Sequence, residues 1–441
     1  MFVSRYAGPA VSGYETDAPL RRAAAISVHT SPLASLGGRD AGGMNVYVRE
    51  LACHLGRLGL PVDVFTRRTD PATPETSALG PNVNVVAITA GPPEPLDKNA
   101  LFPYLPDFAA EMALYSLRQG VRYDAVHAHY WLSGWVAHLL RRYWDTPFIQ
   151  MFHTTARMKN AVAGARERET PLRLRTERSL VDLADSLIAA NPDERADLIW
   201  RQGCPAAKIC TVPPGVDLEL FSPRDRAACR AALGFAEEDR VVLFVGRIDP
   251  IKGIDVLLEA ARILEDENDQ ATPTVLFVGG TLDSDGDPTG PLATVARQAA
   301  ELGVAHRFRF VGSQPQDRLP IFYNAADVVA VPSRYESFGL AAVEAMACGT
   351  PVVASRAGGL TFTVEEGVSG FLVPPRSPEA LAASLGAVLA DDRLRATLRP
   401  GARLTAERFA WPAVASQILH VYERLADGHR ADLCCDDEIY A

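Results

Sequence analysis

Short apolar runs typical of buried β-strands alternate with helical patterns along most of the chain, beginning at Ala23. This alternation indicates doubly wound parallel sheets, in which helices cover both sheet faces between successive strands. The series stops at a stiff turn, residues 213–217, and starts afresh with the apolar run 241–246. We therefore predict an α/β fold with two such sheets. Residues 70–81 interrupt the first series and are predicted to form a turn-rich loop.

The predicted N-terminal domain covers residues 23–215, and a helix at 412–426 is expected to complete it. The C-terminal domain is expected at 216–411. Residues 1–22 lack the apolar core of a secretory signal, and the tail 427–441 is acidic without apolar periodicity, so both are predicted to be disordered. Ligands of open parallel sheets bind outside the carboxyl ends of the strands, and we expect a cleft where the two sets of strand ends face each other.

The composition is that of a globular protein, with 441 residues, 48% hydrophobic residues and a formal net charge of -10. A nucleic-acid-binding surface is not expected, because such surfaces are basic. No apolar run approaches the length that crosses a membrane. The seven cysteines form no C-x-x-C motif, which favours reduced thiols and a cytoplasmic location. The neighbours Cys434 and Cys435 could pair on oxidation.

A strand–loop–helix segment in the second half, residues 328–349, carries two glutamates. Glu336 lies in the loop, and Glu344 lies on the helix that is expected to open at Phe338 and Gly339. The unpaired amides and dipole of a helix start favour a phosphate group. Glu344 falls on the apolar side of the helix, where a carboxylate is costly without a polar partner. Either a local arginine or solvent satisfies it, or it binds the hydroxyls of a ribose. The apolar residues beside it are Leu340, Val343 and Ala347.

A basic loop, residues 246–253, connects another strand of the second half to its helix. Arg247 and Lys252 are therefore expected at the carboxyl edge of the sheet, close to a helix start. Two cations there suit a diphosphate and could stabilise its charge as it leaves. A solvated basic loop is the alternative, and the nearby pair of glutamates makes it the weaker one.

The first half offers groups that bind hydroxyls and anions. A glycine-rich loop at residues 40–45 follows the first strand, where glycines allow a ligand close to the backbone. It does not match G-x-G-x-x-G, so a nicotinamide site is poorly supported. Histidines end two later strands, at His129 and His153, although a histidine in such a position is often an ordinary core residue. Arg173 adds a cation, with Glu177 as the first carboxylate expected after it.

Taken as a set, these motifs resemble the retaining glycosyltransferases of family 4, which have the GT-B fold. The resemblance covers residues 23–425 and rests on the two glutamates eight positions apart together with Arg247 and Lys252. The runs 29–48 and 129–134 resemble in particular the members that transfer a sugar to inositol 3-phosphate. Sucrose-phosphate synthases are similar in the same places. The resemblance implies two Rossmann-like domains that face each other across a cleft.

The resemblance also implies roles for single residues. Gly43 would approach the donor diphosphate, Arg247 and Lys252 would neutralise it, and His153 would lie beside the transferred sugar. Glu336 would contact the hydroxyls of that sugar, and Glu344 would bind the ribose. The donor side would further use the backbone near Gln314 for the base and the amides of Phe338, Gly339 and Leu340 for the β-phosphate. The acceptor side would use Asn45 for a hydroxyl and, for a phosphate, Lys98, Tyr130, Thr154 and Arg173.

The implied reaction is transfer of a hexosyl unit, N-acetylglucosamine or glucose, from a UDP-sugar to a hydroxyl of a phosphorylated polyol or sugar. The favoured acceptor is 1D-myo-inositol 3-phosphate. Because the first half offers no obvious carboxylate nucleophile, we expect front-face substitution with retention, in which the leaving phosphate takes the acceptor proton. No metal is expected to be required, although Mg²⁺ is compatible, and Asp283 and Asp285 read as a solvated turn. A homodimer is implied by resemblance only.

Other functions remain open on the sequence alone. A protein similar to sucrose-phosphate synthase would transfer glucose to fructose 6-phosphate. A nucleotide-sugar epimerase would need a group poised for elimination instead of an acceptor pocket. A non-catalytic sugar-nucleotide sensor is disfavoured, because a binding protein has no need of Arg247, Lys252, Glu336 and Glu344 together.

Overall fold

The computed structural model describes residues 20–34, 42–162, 168–267 and 273–428. The predicted disordered segments lie outside these ranges, apart from residues 20–22 and 427–428. Cys434, Cys435 and the first part of the glycine-rich loop also lie outside them.

The first sheet is parallel except at one edge. Its strands are almost uniformly apolar and buried, as expected where helices cover both faces. The strand order is β3-β4-β2-β1-β5-β6-β7-β8, and the direction of winding reverses between β1 and β5. In chain order the strands are β1 (Ala23–Ile26), β2 (Val62–Arg67), β3 (Thr76–Gly80), β4 (Val83–Ile88), β5 (Ala125–His129), β6 (Phe148–Met151), β7 (Ser186–Ala189) and β8 (Ile209–Thr211).

The second sheet has the order β13-β10-β9-β14-β15-β16, is wholly parallel and reverses between β9 and β14. A separate antiparallel pair joins β11 to β12. The strands are β9 (Val241–Val245), β10 (Thr274–Val278), β11 (Thr281–Leu282), β12 (Pro288–Thr289), β13 (Phe308–Phe310), β14 (Val328–Val331), β15 (Val352–Ser355) and β16 (Gly370–Val373). The predicted α/β fold with two doubly wound sheets is thereby confirmed.

Helices cover both faces of each sheet. Those of the first half are α1 (Gly43–Arg57), α2 (Leu105–Gln119), α3 (Tyr130–Leu140), α4 (Ala156–Val162), α5 (Pro171–Leu183) and α6 (Pro192–Trp200). Those that follow are α7 (Arg226–Ala232), α8 (Ile254–Glu267), α9 (Pro291–Glu301), α10 (Leu319–Ala325), α11 (Leu340–Ala347), α12 (Leu360–Thr363), α13 (Pro378–Ala390), α14 (Asp392–Glu407) and α15 (Trp411–Ala426).

Helix α15 belongs to the core of the first sheet although it ends the described chain. Its residues Trp411, Ile418 and Tyr422 pack in one apolar cluster with α1 and with strands of that sheet. The chain crosses between the halves at two adjacent places, where Val216 forms a β-bridge with Ala410. A Cβ at Gly215 would lie only 2.4 Å from the Trp411 ring. The residue boundaries proposed for the two domains stay predictions.

Two local predictions were wrong. The segment 70–81 is not simply a loop, because it contains β3, which pairs antiparallel with β4. Its residues are exposed or half-buried at the sheet edge, so no apolar period indicated a strand. The helix expected to open at Phe338 begins instead at Leu340, because Gly339 has φ +95°, outside the helical region.

Candidate active site

Several predicted site residues follow the strands at which each sheet reverses its winding, which is where ligands of such folds bind. The two halves meet there through glycines. A Cβ at Gly42 would lie 3.5 Å from Nε of Arg247, and one at Gly43 would lie 3.0 Å from Cδ1 of Leu340. The glycine-rich loop of the first half therefore lies directly against the basic loop and the start of α11 in the second half.

Lys252 and Glu336 form an ion pair, with Nζ 2.5 Å from Oε2. The hydroxyl of Ser333 also donates to that carboxylate, over 3.2 Å. The side chain of Arg247 is exposed, and within the described ranges it forms no ion pair. The basic loop thus presents one cation already held by a carboxylate and one whose charge is available to an anion.

The start of α11 requires a glycine. Gly339 has φ +95°, and a Cβ there would lie 2.6 Å from Cδ2 of Leu360. Only glycine combines this conformation with this space. The first amides of a helix have no partner inside the helix, so those beginning at Leu340 can donate to a phosphate.

Glu344 is buried, 8% exposed, as its position on the apolar side of α11 predicted. Its polar partner is the Tyr323 hydroxyl, which donates to Oε2 over 2.7 Å. Burial raises the pKa of Glu344 to about 7, although hydrogen bonds from Tyr323 and Gln316 act in the opposite direction. Gln316 in turn accepts a hydrogen bond from Arg49 of α1. The solvated carboxylate and the local arginine are both excluded, and the carboxylate is connected to the first half.

Arg173 is 2% exposed and is more completely neutralised than the sequence indicated. Its guanidinium lies 2.6 Å from Glu177 and 3.0 Å from Glu169. Burial opposes its charge, but these carboxylates raise its pKa above the ordinary value. Sequence reasoning named only Glu177, whereas Glu169, four positions before Arg173 and just before α5, also pairs with it. Arg173 also donates to the Thr154 carbonyl and lies 4.6 Å from the centre of the Tyr130 ring.

His29, which sequence reasoning did not select as a site residue, connects this group. Its ring lies 4.5 Å from that of Tyr130. Burial, followed by the charges of Lys98 and Arg173, lowers the pKa of His29 to about 3. Arg173 and His29 therefore both lie against Tyr130, and the charge of Lys98 acts on the same place. The available signal was the position of His29 close after the first strand, similar to His129 at the end of β5 and His153 just after β6.

Asn45 holds the segment after β1 in place. Its side-chain amide is buried and donates to the Thr30 hydroxyl over 2.6 Å and to the Ser31 carbonyl over 2.7 Å. Its carbonyl oxygen accepts from the Gly42 amide. Both amide donors of Asn45 therefore already have protein partners. The predicted contact between Asn45 and an acceptor hydroxyl stays a prediction.

His153 has φ +61° just after β6, and Tyr130 has φ +75° just after β5. Such backbone conformations are unfavourable for these residue types and are often found at functional sites. Burial lowers the pKa of His153 to about 3, so its ring is neutral at physiological pH. The side chain can therefore accept or donate a hydrogen bond, but it does not supply a positive charge.

Within the described parts of the chain, Gln314 forms no hydrogen bond or ion pair with the other predicted residues. Its side-chain amide donates to the Val311 carbonyl over 2.8 Å. The predicted contact with a base involved only the backbone of this stretch and is untested.

Further contacts close the cleft at its sides. Asn191, which caps α6, donates a hydrogen bond to the Ser337 carbonyl. The Tyr335 hydroxyl lies 3.3 Å from Sδ of Met158. A cavity of about 350 Å³ lies beside the basic loop, lined by Lys159 from the first half and Arg334 from the second. Sequence reasoning missed Asn191, although an Asn-Pro pair after an apolar strand predicts a helix cap.

The described ranges contain no group of three His, Cys, Asp or Glu side chains that could hold a metal ion. The prediction that no metal is required stays a prediction. Across the same ranges, no helix combines the length and apolar character needed to cross a membrane.

Both halves match family models. Residues 41–220 match Glycosyltransferase Family 4, and residues 225–405 match Glycosyl transferases group 1. The D-inositol 3-phosphate glycosyltransferase of Kribbella flavida is 44% identical over 94% of this chain and 98% of its own length. The protein of that name from Corynebacterium jeikeium is 42% identical, over 93% and 99%.

A solved structure is similar over almost the whole fold. The sucrose-phosphate synthase of Thermosynechococcus elongatus is 36% identical, with a TM-score of 0.84, over 92% of this chain and 100% of that chain. The Anabaena HepE structure in complex with UDP and glucose is similar in fold alone. It is 23% identical, with a TM-score of 0.69, over 90% of this chain and 98% of that chain.

Proposed function

Since this chain belongs to the family 4 glycosyltransferases and has their GT-B fold, we propose that it transfers a hexosyl unit from a UDP-sugar to 1D-myo-inositol 3-phosphate. The observation that carries the choice of acceptor is that Arg173 and His29 both lie against Tyr130, where the charge of Lys98 also acts. Two cations beside hydroxyl-binding groups suit a phosphorylated polyol. The names of the relatives at 42–44% identity support the same acceptor.

The donor diphosphate would lie between Gly43 and the start of α11. Arg247, which has no carboxylate partner within the described ranges, would take up the charge that develops on the leaving group. Lys252 would assist it, while its ion pair keeps Glu336 oriented toward the sugar hydroxyls. Glu344 would bind the ribose, and the backbone near Gln314 would meet the base.

The acceptor hydroxyl would attack on the face from which the diphosphate leaves, and the leaving phosphate would take the acceptor proton. A substitution without a protein nucleophile is supported by the hydrogen bonds of two buried carboxylates in the first half. Glu177 accepts hydrogen bonds from Arg173 and from the Ala156 amide, and Glu194 accepts one from the Ala190 amide. They serve the framework of the domain, which leaves the substitution to the substrates themselves. Neutral His153 would bind a hydroxyl of the transferred sugar.

The acceptor phosphate would reach Arg173 by replacing Glu169. The pair between Arg173 and Glu169 is 3.0 Å long, whereas the pair with Glu177 is 2.6 Å and belongs to the same helix. Glu169 also pairs with Lys159 over 2.8 Å. Its release would therefore free two cations for an incoming phosphate, while Glu177 continues to hold Arg173 in place.

A second candidate is glucose transfer to fructose 6-phosphate, favoured by the likeness to the sucrose-phosphate synthase. The test is UDP or ADP release by purified full-length protein. UDP-GlcNAc, UDP-glucose and ADP-glucose are each paired with inositol 3-phosphate or fructose 6-phosphate. Release only with UDP-GlcNAc and inositol 3-phosphate supports the first proposal, and release with a glucose donor and fructose 6-phosphate supports the second. No release with any pair contradicts both.

The same preparation tests the remaining expectations. Full activity in EDTA would support a reaction without a required metal, whereas recovery on adding Mg²⁺ would contradict it. A nucleotide-sugar epimerase would convert the donor without an acceptor, and a sensor would bind UDP without turnover. We retain a homodimer and a cytoplasmic location as proposals, and the dimer is testable by light scattering.

A further inference from the structure

A row of side chains runs from His153 through His129 and His127 to Tyr422. Apart from His153, these residues have no role in the proposed reaction. His127 and His129 lie two positions apart on β5 and therefore face the same side of the sheet. Both are fully buried, and their ring centres are 4.2 Å apart. This side of the sheet is covered by α1 and α15. A strand interior normally places apolar side chains there, so two histidines need a reason.

The row makes contact with the candidate site at one end. Nδ1 of His129 lies 3.1 Å from Nε2 of His153, within hydrogen-bond distance. This contact occupies Nε2 and leaves Nδ1 as the nitrogen of His153 that a ligand can use. Because burial lowers the pKa of both rings, each is neutral and carries one N–H. If His129 donates its Nδ1 proton to Nε2 of His153, then Nδ1 of His153 carries a proton and is a donor. If Nε2 of His153 donates instead, Nδ1 of His153 is an acceptor.

The other end of the row reaches the last helix. Nδ1 of His127 lies 2.8 Å from the Tyr422 hydroxyl of α15. Tyr47 of α1 packs edge-on against both His129 and His153, at 5.6 and 5.1 Å between ring centres. These contacts restrict rotation of the rings, and they come from helices near opposite ends of the chain.

We infer that His129 is a positioning residue for the transfer reaction: it sets the ring orientation and the tautomer of His153, so that Nδ1 of His153 presents one defined hydrogen-bonding character to the transferred sugar. The role of His153 in this inference rests on the proposed function. The unfavourable backbone conformation of His153 is consistent with it, because strain persists where the surroundings hold a side chain in one place.

The first test measures the tautomer directly and needs no substrate. Full-length protein labelled with ¹⁵N-histidine is compared with His129→Phe, which keeps a planar ring but removes the hydrogen-bonding nitrogen. His153→Ala assigns the resonances. We expect His153 to show one protonated ring nitrogen in the wild type and a mixture of tautomers in His129→Phe. An unchanged His153 spectrum would overturn the inference, whatever the substrates prove to be.

The second test uses the donor and acceptor that the wild type turns over. His129→Phe should lower kcat about 10-fold to 100-fold, the effect of losing one partner of a buried hydrogen bond, while the Kd for UDP stays unchanged. His129→Asn can place an amide where Nδ1 lies and should recover most of the rate. His129→Phe combined with His153→Ala should be no slower than His153→Ala alone.

Multiplicative effects in that double variant would show that His129 does not act through His153. Equal losses in His129→Phe and His129→Asn, accompanied by equal falls in Tm, would show a purely structural role. Either result contradicts the assignment. If the wild type is inactive with every substrate pair, the proposed function fails, and the ¹⁵N spectra still decide the role of His129.

Discussion

Replacement of Glu344 by glutamine should stabilise the unliganded protein at alkaline pH and weaken donor binding. The pKa of this carboxyl rises from 4.5 to about 7 on folding, mainly through burial. Between these values the folded state binds the extra proton, so stability is lost as the pH rises from 4.5 through 7. Each pKa unit corresponds to roughly 1.4 kcal/mol, so keeping Glu344 ionised costs about 3 kcal/mol above pH 7.

Glutamine has nearly the same shape and can still accept a hydrogen bond from Tyr323, but it has no charge to bury. Relative to the wild type, Glu344→Gln should therefore gain less than about 1 kcal/mol of stability at pH 5 and about 3 kcal/mol at pH 8. UDP binding should move in the opposite direction. Loss of the carboxylate that we assign to the ribose should weaken it about 10-fold to 100-fold.

Urea unfolding at pH 5 and pH 8 measures the first effect, and calorimetric titration with UDP at pH 8 measures the second. Glu301→Gln is the matched control, because Glu301 is 67% exposed on α9 and should show neither effect. An equal stability change at both pH values would refute the burial argument. Unchanged UDP affinity would refute the ribose assignment while leaving the burial argument intact.

Three further substitutions test other parts of the site. Arg247→Met should lower kcat about 100-fold to 1,000-fold through loss of leaving-group stabilisation, and a change below threefold in UDP release would contradict this role. Arg173→Lys keeps the charge but loses the planar guanidinium that binds a phosphate through two hydrogen bonds. The KM for the phosphorylated acceptor should therefore rise about 10-fold, with the UDP affinity unchanged. An unaltered KM would contradict the assignment of Arg173 to the acceptor site. Gly43→Ala should impair turnover, because its Cβ would lie 3.0 Å from Leu340. The control is Gly42→Ala, whose Cβ would lie at an ordinary 3.5 Å from Arg247. Equal activities of the two variants would show that the loop does not need this close approach.

Several features could be predicted because they depend on residues close together in the sequence. Continuous apolar runs separated by helical patterns indicated two parallel sheets, and the helical period alone placed Glu344 on the buried side of α11. The resemblance of the motifs indicated the family. The edge strand β3 was missed because an exposed strand carries no apolar alternation, and its pairing with β4 supplies the missing signal.

The tertiary structure decided how the site residues are paired and charged. Sequence reasoning placed Arg173 in the chain but did not reveal that Glu169 and Glu177 both neutralise it. It assigned a role to His153 but none to His129 or to Tyr422, which lies 295 positions after His127. The sequence by itself determined which elements form, because hydrophobic periodicity and glycine conformation act locally. Only folding decided which side chains share a buried space, and burial with particular neighbours is what sets their charge, tautomer and orientation.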